Sequence, residues 1–203
     1  MKIVGIVGGI ASGKSSAAKI FKEHGAALLS GDEIGHQILG EPEIVTAAEE
    51  RWGSGVIDQN GEIDRHRLAA IVFSEKEHRE ELTFLEKLTH PRIKSRLLAE
   101  IDRLRTAGTG VVILDAALLL ETGWYSMCEK IVFIDASEEN REKYAAHRNW
   151  TKEELICRES QQLSLEKKRA AADFQICNNG SMELMRQEIS RVWDSLQETE
   201  MAD

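Results

Sequence analysis

Apolar residues along this chain come in two rhythms: short unbroken runs, and stripes spaced by three or four. Runs at 2–7 (KIVGIV), 26–30 (AALLS), 110–115 (GVVILD), 130–136 (KIVFIDA) and, more weakly, 174–177 (FQIC) read as strands. Unbroken runs belong to strands covered on both faces. Between them the spacing turns helical, over 14–24 with Gly25 as C-cap, across most of 32–106, in two or three short helices within 137–171, and over 181–196. The long block is expected to break at the turn-rich GSGVIDQNGE, 53–62, and at Pro91, which has no N–H to give a helix. Thr151 with Glu154 fits a capping box, Ser137 and Ser164 are N-cap candidates, and the final QETEMAD reads as a frayed tail.

Strands alternating with helices imply a mostly parallel sheet covered on both faces. The block between the second and third strands is too large for a simple crossover, so it is expected to form a subdomain at the carboxyl edge of the sheet, where α/β proteins bind ligands. The expected fold class is therefore α/β, a mostly parallel sheet of these five strands flanked by helices with an inserted helical subdomain, and 203 residues suit one domain.

Charge narrows the partners. A net charge of −9 argues against nucleic acid, which demands a basic face, yet allows a small anion where cations are focused locally. Cations are concentrated in 137–172, with eight Lys and Arg against seven Asp and Glu. Arg158 reads as a weaker candidate for that anion or as a solvated helix face, and the run Lys167, Lys168, Arg169 as surface. No apolar run approaches the roughly 18 residues that span a bilayer, and the N-terminus runs directly into a strand, so neither a membrane segment nor a signal peptide is expected. Cys128, Cys157 and Cys177 are odd in number and lack metal-ligand spacing, which suits reduced, mostly structural thiols in the cytoplasm. Trp52, Trp124, Trp150 and Trp193 show no stacking pattern and read as packing or partly exposed residues.

The chemistry begins at GGIASGKS, residues 8–15, between the first strand and the first helix. It satisfies the phosphate-loop pattern G-x-x-x-x-G-K-[ST]. Glycines let backbone N–H groups turn inward onto phosphate oxygens, and the following helix adds its N-terminal dipole. Lys14 supplies a point charge for the outer phosphates, and the Ser15 hydroxyl is placed to ligate Mg²⁺. A nucleoside triphosphate is the implied ligand. A kinase, a GTPase-type switch and a motor share this loop, but no NKxD-like base-recognition stretch follows a later strand and the chain is short for a motor. Asp115 closes a buried strand, as a Mg²⁺-side carboxylate or as a structural hydrogen-bond acceptor. Asp32 follows the second strand, as a proton acceptor for an attacking hydroxyl or as a helix cap.

Further segments occur in order: GDEIGHQI (31–38), GEIDRHRLAAIVF (61–73), LEKLTHPRI (85–93), LDAALLLETG (114–123), RESQQLS (158–164) and ADFQICNNGS (172–181). Together with the phosphate loop they resemble the dephospho-CoA kinase family over nearly the whole chain. The resemblance implies a P-loop NTPase fold with a five-stranded parallel sheet, divided into a core of 1–31, 110–136 and 173–198, a substrate-binding helical subdomain of 32–109 and a lid of 137–172, and it implies ATP-dependent phosphorylation of the ribose 3′-hydroxyl of dephospho-CoA, with ATP and Mg²⁺ as cofactors. It implies catalytic roles for Asp32, Lys14 and Arg148. It assigns nucleotide contacts to Gly8, Ala11, Ser12, Gly13, Lys14, Ser15, Ser16 and Asn178, the last near the adenine. The acceptor side falls to Asp32, His36, Asp64, Arg65, His90 and Leu118, and the metal to Ser15, Asp32 and Asp115. For Asp64 the rival reading is a helix cap, and for His90 a brace for the Thr89-His90-Pro91 turn. The sequence departs from the family pattern at His36, where an arginine is usual, at Ala117 and Leu120 in place of Pro and Phe, and at Arg141 and Tyr144 in place of Gln and Arg; Arg148 is retained. The expected partners are dephospho-CoA and ATP alone, the chain working as a monomer or weak homo-oligomer. A nucleoside or nucleotide kinase, or an ATP-binding switch, is the alternative.

Overall fold

The structure, a computed structural model, describes residues 1–73, 78–148 and 150–198. In chain order the elements are β1 (Lys2–Gly8), α1 (Lys14–Glu23), β2 (Ala27–Ser30), α2 (Gly31–Leu39), α3 (Pro42–Trp52), α4 (Arg65–Val72), α5 (His78–Thr106), β3 (Val111–Asp115), β4 (Lys130–Asp135), α6 (Glu138–Ala146), α7 (Lys152–Ser160), α8 (Leu165–Ala170), β5 (Phe174–Cys177) and α9 (Met182–Glu198). The chain divides into two compact units, one made of Met1–Ser30 with the chain from Glu100 onward, the other of Gly31–Ala99.

The first unit holds a five-stranded, all-parallel sheet in the order β2-β3-β1-β4-β5. Unbroken apolar strands predict burial on both faces, and β3 and β4 bury Val112, Ile113, Leu114, Val132, Phe133 and Ile134. α1 presents Ala17, Ile20 and Phe21, and α9 presents Met185, Ile189, Val192 and Leu196, to one continuous core with Val4 and Ile6 of β1. The α9 set falls at helical spacing on one face. Each fully buried large side chain contributes about 1.5–3 kcal/mol. Gly5 lets the turn after β3 settle on the sheet, since a Cβ there would lie 2.6 Å from Leu119 Cδ2 and 3.0 Å from Cys128 Sγ. Burial pushes the Cys128 thiol up to about 12. Cys157 and Cys177 are exposed, so only Cys128 of the three is a packing thiol; none is disulfide-bonded.

Parallel pairing brings the carboxyl ends of all five strands to one edge, which carries the 8–15 loop, Asp115, Asp135 and Asn178. β1 and its neighbour β4 send their connections to opposite sides, the arrangement that opens a ligand crevice at the strand ends. The capping box is formed, with Thr151 Oγ1 accepting from Glu154 N at 3.2 Å and Glu154 Oε2 from Thr151 N at 2.8 Å. Ser137 and Ser164 cap α6 and α8.

The second unit buries Ile34, Ile38, Ile44, Ala48, Val56, Leu68, Val72, Ile93 and Leu97. Glu81 of α5 ties it to α3, accepting from Arg51 at 3.0 and 2.6 Å and from Trp52 Nε1 at 2.6 Å. Those bonds, Arg51 foremost, hold its carboxyl below the usual range.

Two local expectations fail. Pro91 does not end a helix; it lies inside α5. An interior proline costs about 3 kcal/mol, but Pro91 itself is exposed while Ile93 and Leu97 bury on the face away from it, and their burial offsets the loss. Of the tail, Gln197 and Glu198 continue α9. Residues 199–203 lie outside the described residues.

Candidate active site

The loop from Gly8 to Ser15 is shaped by close approaches only glycine permits. A Cβ on Gly8 would lie 2.7 Å from both Ile134 O and Ser12 Oγ. Gly13 has φ +95, and a Cβ there would lie 2.4 Å from Asn178 Nδ2. Ala11, at φ 57, holds the loop's left-handed bend. Helix α1 then starts without a side-chain N-cap and without an acid in its first turn. The helix N-terminus thus turns its dipole toward an anion with no carboxylate of its own first turn in competition.

Three side chains finish this end of the sheet. Lys14 Nζ donates to Gly9 O at 3.1 Å and Gly8 O at 3.5 Å, which sets the ammonium across the mouth of the loop. Ser15 Oγ donates to Asp115 Oδ2 at 3.5 Å. A hydroxyl and a carboxylate so placed fit Mg²⁺, which takes one or two protein oxygens and fills the rest with water and phosphate. The buried Asn178 donates from Nδ2 to Ser12 O at 2.8 Å, while its own N–H goes to Asp135 O at 2.7 Å. Its amide is thus a brace of the loop backbone.

Helices α6 and α7 pack on the same loop. Ile10 and Ala11 share an apolar cluster with Tyr144, Ala145, Trp150 and Leu155. Arg148, exposed, stands over the Trp150 ring at 5.5 Å, and Arg158 covers the same ring at 4.4 Å. Arg141 is 6% exposed, pairs with Glu159, and has a buried Nε without a partner. Burial lowers its pKa.

The run 167–169 separates into three environments, which corrects the surface reading for Lys168. Lys167 is exposed. Arg169 bonds Asp135 at 2.9 Å and lies over Phe133. Lys168 is 2% exposed and donates to Gln162 Oε1 at 2.6 Å, with Glu121 Oε1 at 3.3 Å. Burial pulls its pKa down, against Glu121. The sequence signal available was position: Lys168 falls three residues after Leu165, on that residue's helix face.

Other sequence-derived candidates lie in the second unit. Asp32 is exposed in the first turn of α2, directly after β2, whose Ser30 pairs in register with Asp115. His36 is exposed in the last turn of α2. Asp64 caps α4, its Oδ1 accepting from His66 N at 3.0 Å and Arg67 N at 3.2 Å, and Arg65 beside it is exposed. His90 is half-buried in α5, and burial lowers its pKa. In the first unit, Leu118 is half-buried in the turn after β3, and its carbonyl accepts from Thr122.

Comparison with known proteins gives a consistent result. The family model described as dephospho-CoA kinase (CoaE) matches residues 2–183. A dephospho-CoA kinase of Geobacillus kaustophilus is 35% identical over an alignment of 203 residues, covering 96% of this chain and 98% of the relative. Among solved structures, TT1252 from Thermus thermophilus matches with a TM-score of 0.79 at 30% identity, over 96% of this chain and 97% of that one. A dephospho-CoA kinase from Campylobacter jejuni matches with a TM-score of 0.66 at 26% identity, over 96% and 97% of the two chains.

Proposed function

The chain belongs to the dephospho-CoA kinase family, phosphotransferases that use ATP in the last step of coenzyme A biosynthesis, and from that premise we propose how its residues divide the work. The loop 8–15 cradles the triphosphate through its backbone N–H groups. Lys14 sits over the outer phosphates. Ser15 and Asp115 would hold Mg²⁺, a role Asp32 would share, and the ion would supply charge neutralisation at the outer phosphates.

Asp32 accepts the proton of the ribose 3′-hydroxyl. The freed oxygen attacks the γ-phosphorus in line, the bond to the bridging β,γ-oxygen breaks, and its electrons leave with ADP. There is little covalent chemistry for the protein to do, so positioning and electrostatics carry the rate. Arg148 meets the charge that develops in the transition state, a donor of the kind worth roughly 10²–10³ in rate. Residues 32–109 serve the acceptor, with His36, Asp64, Arg65, His90 and Leu118 on its side, and 137–172 act as a lid that excludes water. Its acidic charge and three unpaired thiols suit a cytoplasmic enzyme, a monomer or weak homo-oligomer, with no nucleic-acid partner.

The observation that carries this reading is the convergence of Lys14, Ser15 and Asp115 at one mouth of the phosphate loop. The purified chain, given Mg·ATP with dephospho-CoA, nucleosides or nucleoside monophosphates in turn, is expected to release ADP at least about 100-fold faster with dephospho-CoA, a preference of about 2.7 kcal/mol at the transition state. Equal or faster release with a nucleoside or monophosphate would replace this acceptor, and ATP bound but never split would make the protein a switch.

A further inference from the structure

Lys168 is the buried lysine among the described residues. Taking an ammonium out of water carries a desolvation penalty that pairing only partly offsets, and an aliphatic side chain would fill the same space without it. A demand other than packing therefore holds it there. Lys168 also lines a cavity of about 130 Å³ with Gly9 and Ile10 of the phosphate loop and with Glu159, Gln162 and Leu165. One water needs only about 15 Å³, so the space takes a larger polar group.

Three further features identify that group. Gly9, which lines the cavity, is also the residue whose carbonyl receives Lys14, so the cavity opens at the outer-phosphate end of the loop. A second buried cation stands at the same glycine, since a Cβ on Gly9 would meet Arg141 Cδ at 3.0 Å and Nη1 at 3.2 Å, and Arg141 Nε is buried and unpartnered. The two carboxylates nearby are already engaged, Glu159 by Arg141 and Glu121 by Lys168, so they do not turn the wall acidic. Glu121 is itself fixed, accepting from Leu163 N at 2.8 Å.

We propose that Lys168 is a phosphate-binding residue of the ATP site, its ammonium exchanging Gln162 for an oxygen of the terminal phosphoryl group seated over Gly9 and Ile10 while Glu121 keeps it aimed. Arg141 adds its charge beside Gly9. The proposal rests on the ATP-dependent reading above, but it concerns binding of ATP against ADP and is tested without the acceptor.

Lys168→Met alone strands Glu121 in a buried place, so the deciding variant is Glu121→Gln/Lys168→Met, which removes both charges and keeps an acceptor for Leu163 N. That variant is expected to bind ADP within about threefold of wild type, to bind ATP at least about tenfold more weakly, and to turn over about 100-fold more slowly, in the range for one lost phosphate donor. Lys168→Arg, with the charge kept, should recover part of the ATP preference. A wild-type ATP-to-ADP ratio and turnover in the double variant would make Lys168 a structural brace and overturn the proposal. In the wild-type protein the Lys168 ¹⁵Nζ resonance should shift with the non-hydrolysable analogue AMP-PNP and stay with ADP. An unmoved resonance overturns the proposal whether or not the variants fold. Failure of the dephospho-CoA assay with this ratio intact would instead strike the acceptor assignment.

Discussion

Asp32→Asn is expected to lower kcat by about 10³-fold, within the span seen for loss of a general base, while the Kd for ATP stays within about twofold. Two roles compete for this carboxylate. It lies in the first turn of α2, where an acid also serves a helix N-terminus. It also follows by two residues the strand position that pairs with Asp115, and Asp115 in turn meets Ser15. The asparagine variant separates the roles because a first-turn acid is worth only about 0.3–1 kcal/mol to its helix, whereas an amide cannot take a proton at neutral pH at all. If Asp32 only serves the helix, stability falls by no more than that and turnover survives the change. If it takes the proton of the attacking hydroxyl, the same small loss of stability comes with a collapse of turnover. Asp32→Ala is the control, expected to lose turnover to the same extent. Normal turnover in Asp32→Asn removes the assignment.

Gly13→Ala is expected to cost about 3 kcal/mol of stability, in the range of overpacking combined with strain at a special φ, and to weaken ATP binding by more than about 100-fold, the equivalent of a further ~2.7 kcal/mol. Gly13 sits at φ +95, and its new Cβ would lie 2.4 Å from Asn178 Nδ2. The nitrogen cannot simply yield, because Asn178 is buried and donates to Ser12 O. Pushing it away releases the loop segment whose N–H groups hold phosphate. For a chain of this size the loss corresponds to a fall in Tm of about 6–12 °C. Gly25→Ala supplies the comparison: φ is +106 there, but nothing lies within 4 Å. Backbone strain alone then costs about 1–2 kcal/mol, with ATP binding unchanged. If Gly13→Ala is as mild as Gly25→Ala in both readouts, the brace between Asn178 and the loop is not what holds it.

These residues also show where the sequence was informative. The phosphate loop could be read because its chemistry is local: small residues, one ammonium and one hydroxyl at fixed spacing between a strand and a helix. The strands could be read because burial on both faces leaves unbroken apolar runs. Pro91 misled because its rule is local too, whereas the burial of Ile93 and Leu97 that carries α5 past it is set by tertiary packing. Lys168 was missed for a similar reason. Three adjacent cations look alike in sequence, and only the turn of α8 decides that the middle one is drawn in beside Glu121. The resemblance set Asn178 near the adenine; its amide bonds Ser12 O, a contact between residues 166 apart that no spacing rule encodes.

The most direct test follows the phosphorus itself. With ATP labelled at the γ-phosphate and dephospho-CoA as acceptor, one equivalent of label is expected on the ribose 3′-oxygen of the product for each ADP released, with the product identified as coenzyme A by its mass and its ³¹P spectrum. Label in inorganic phosphate alone, label on any other position of the acceptor, or ATP recovered intact after binding would contradict it.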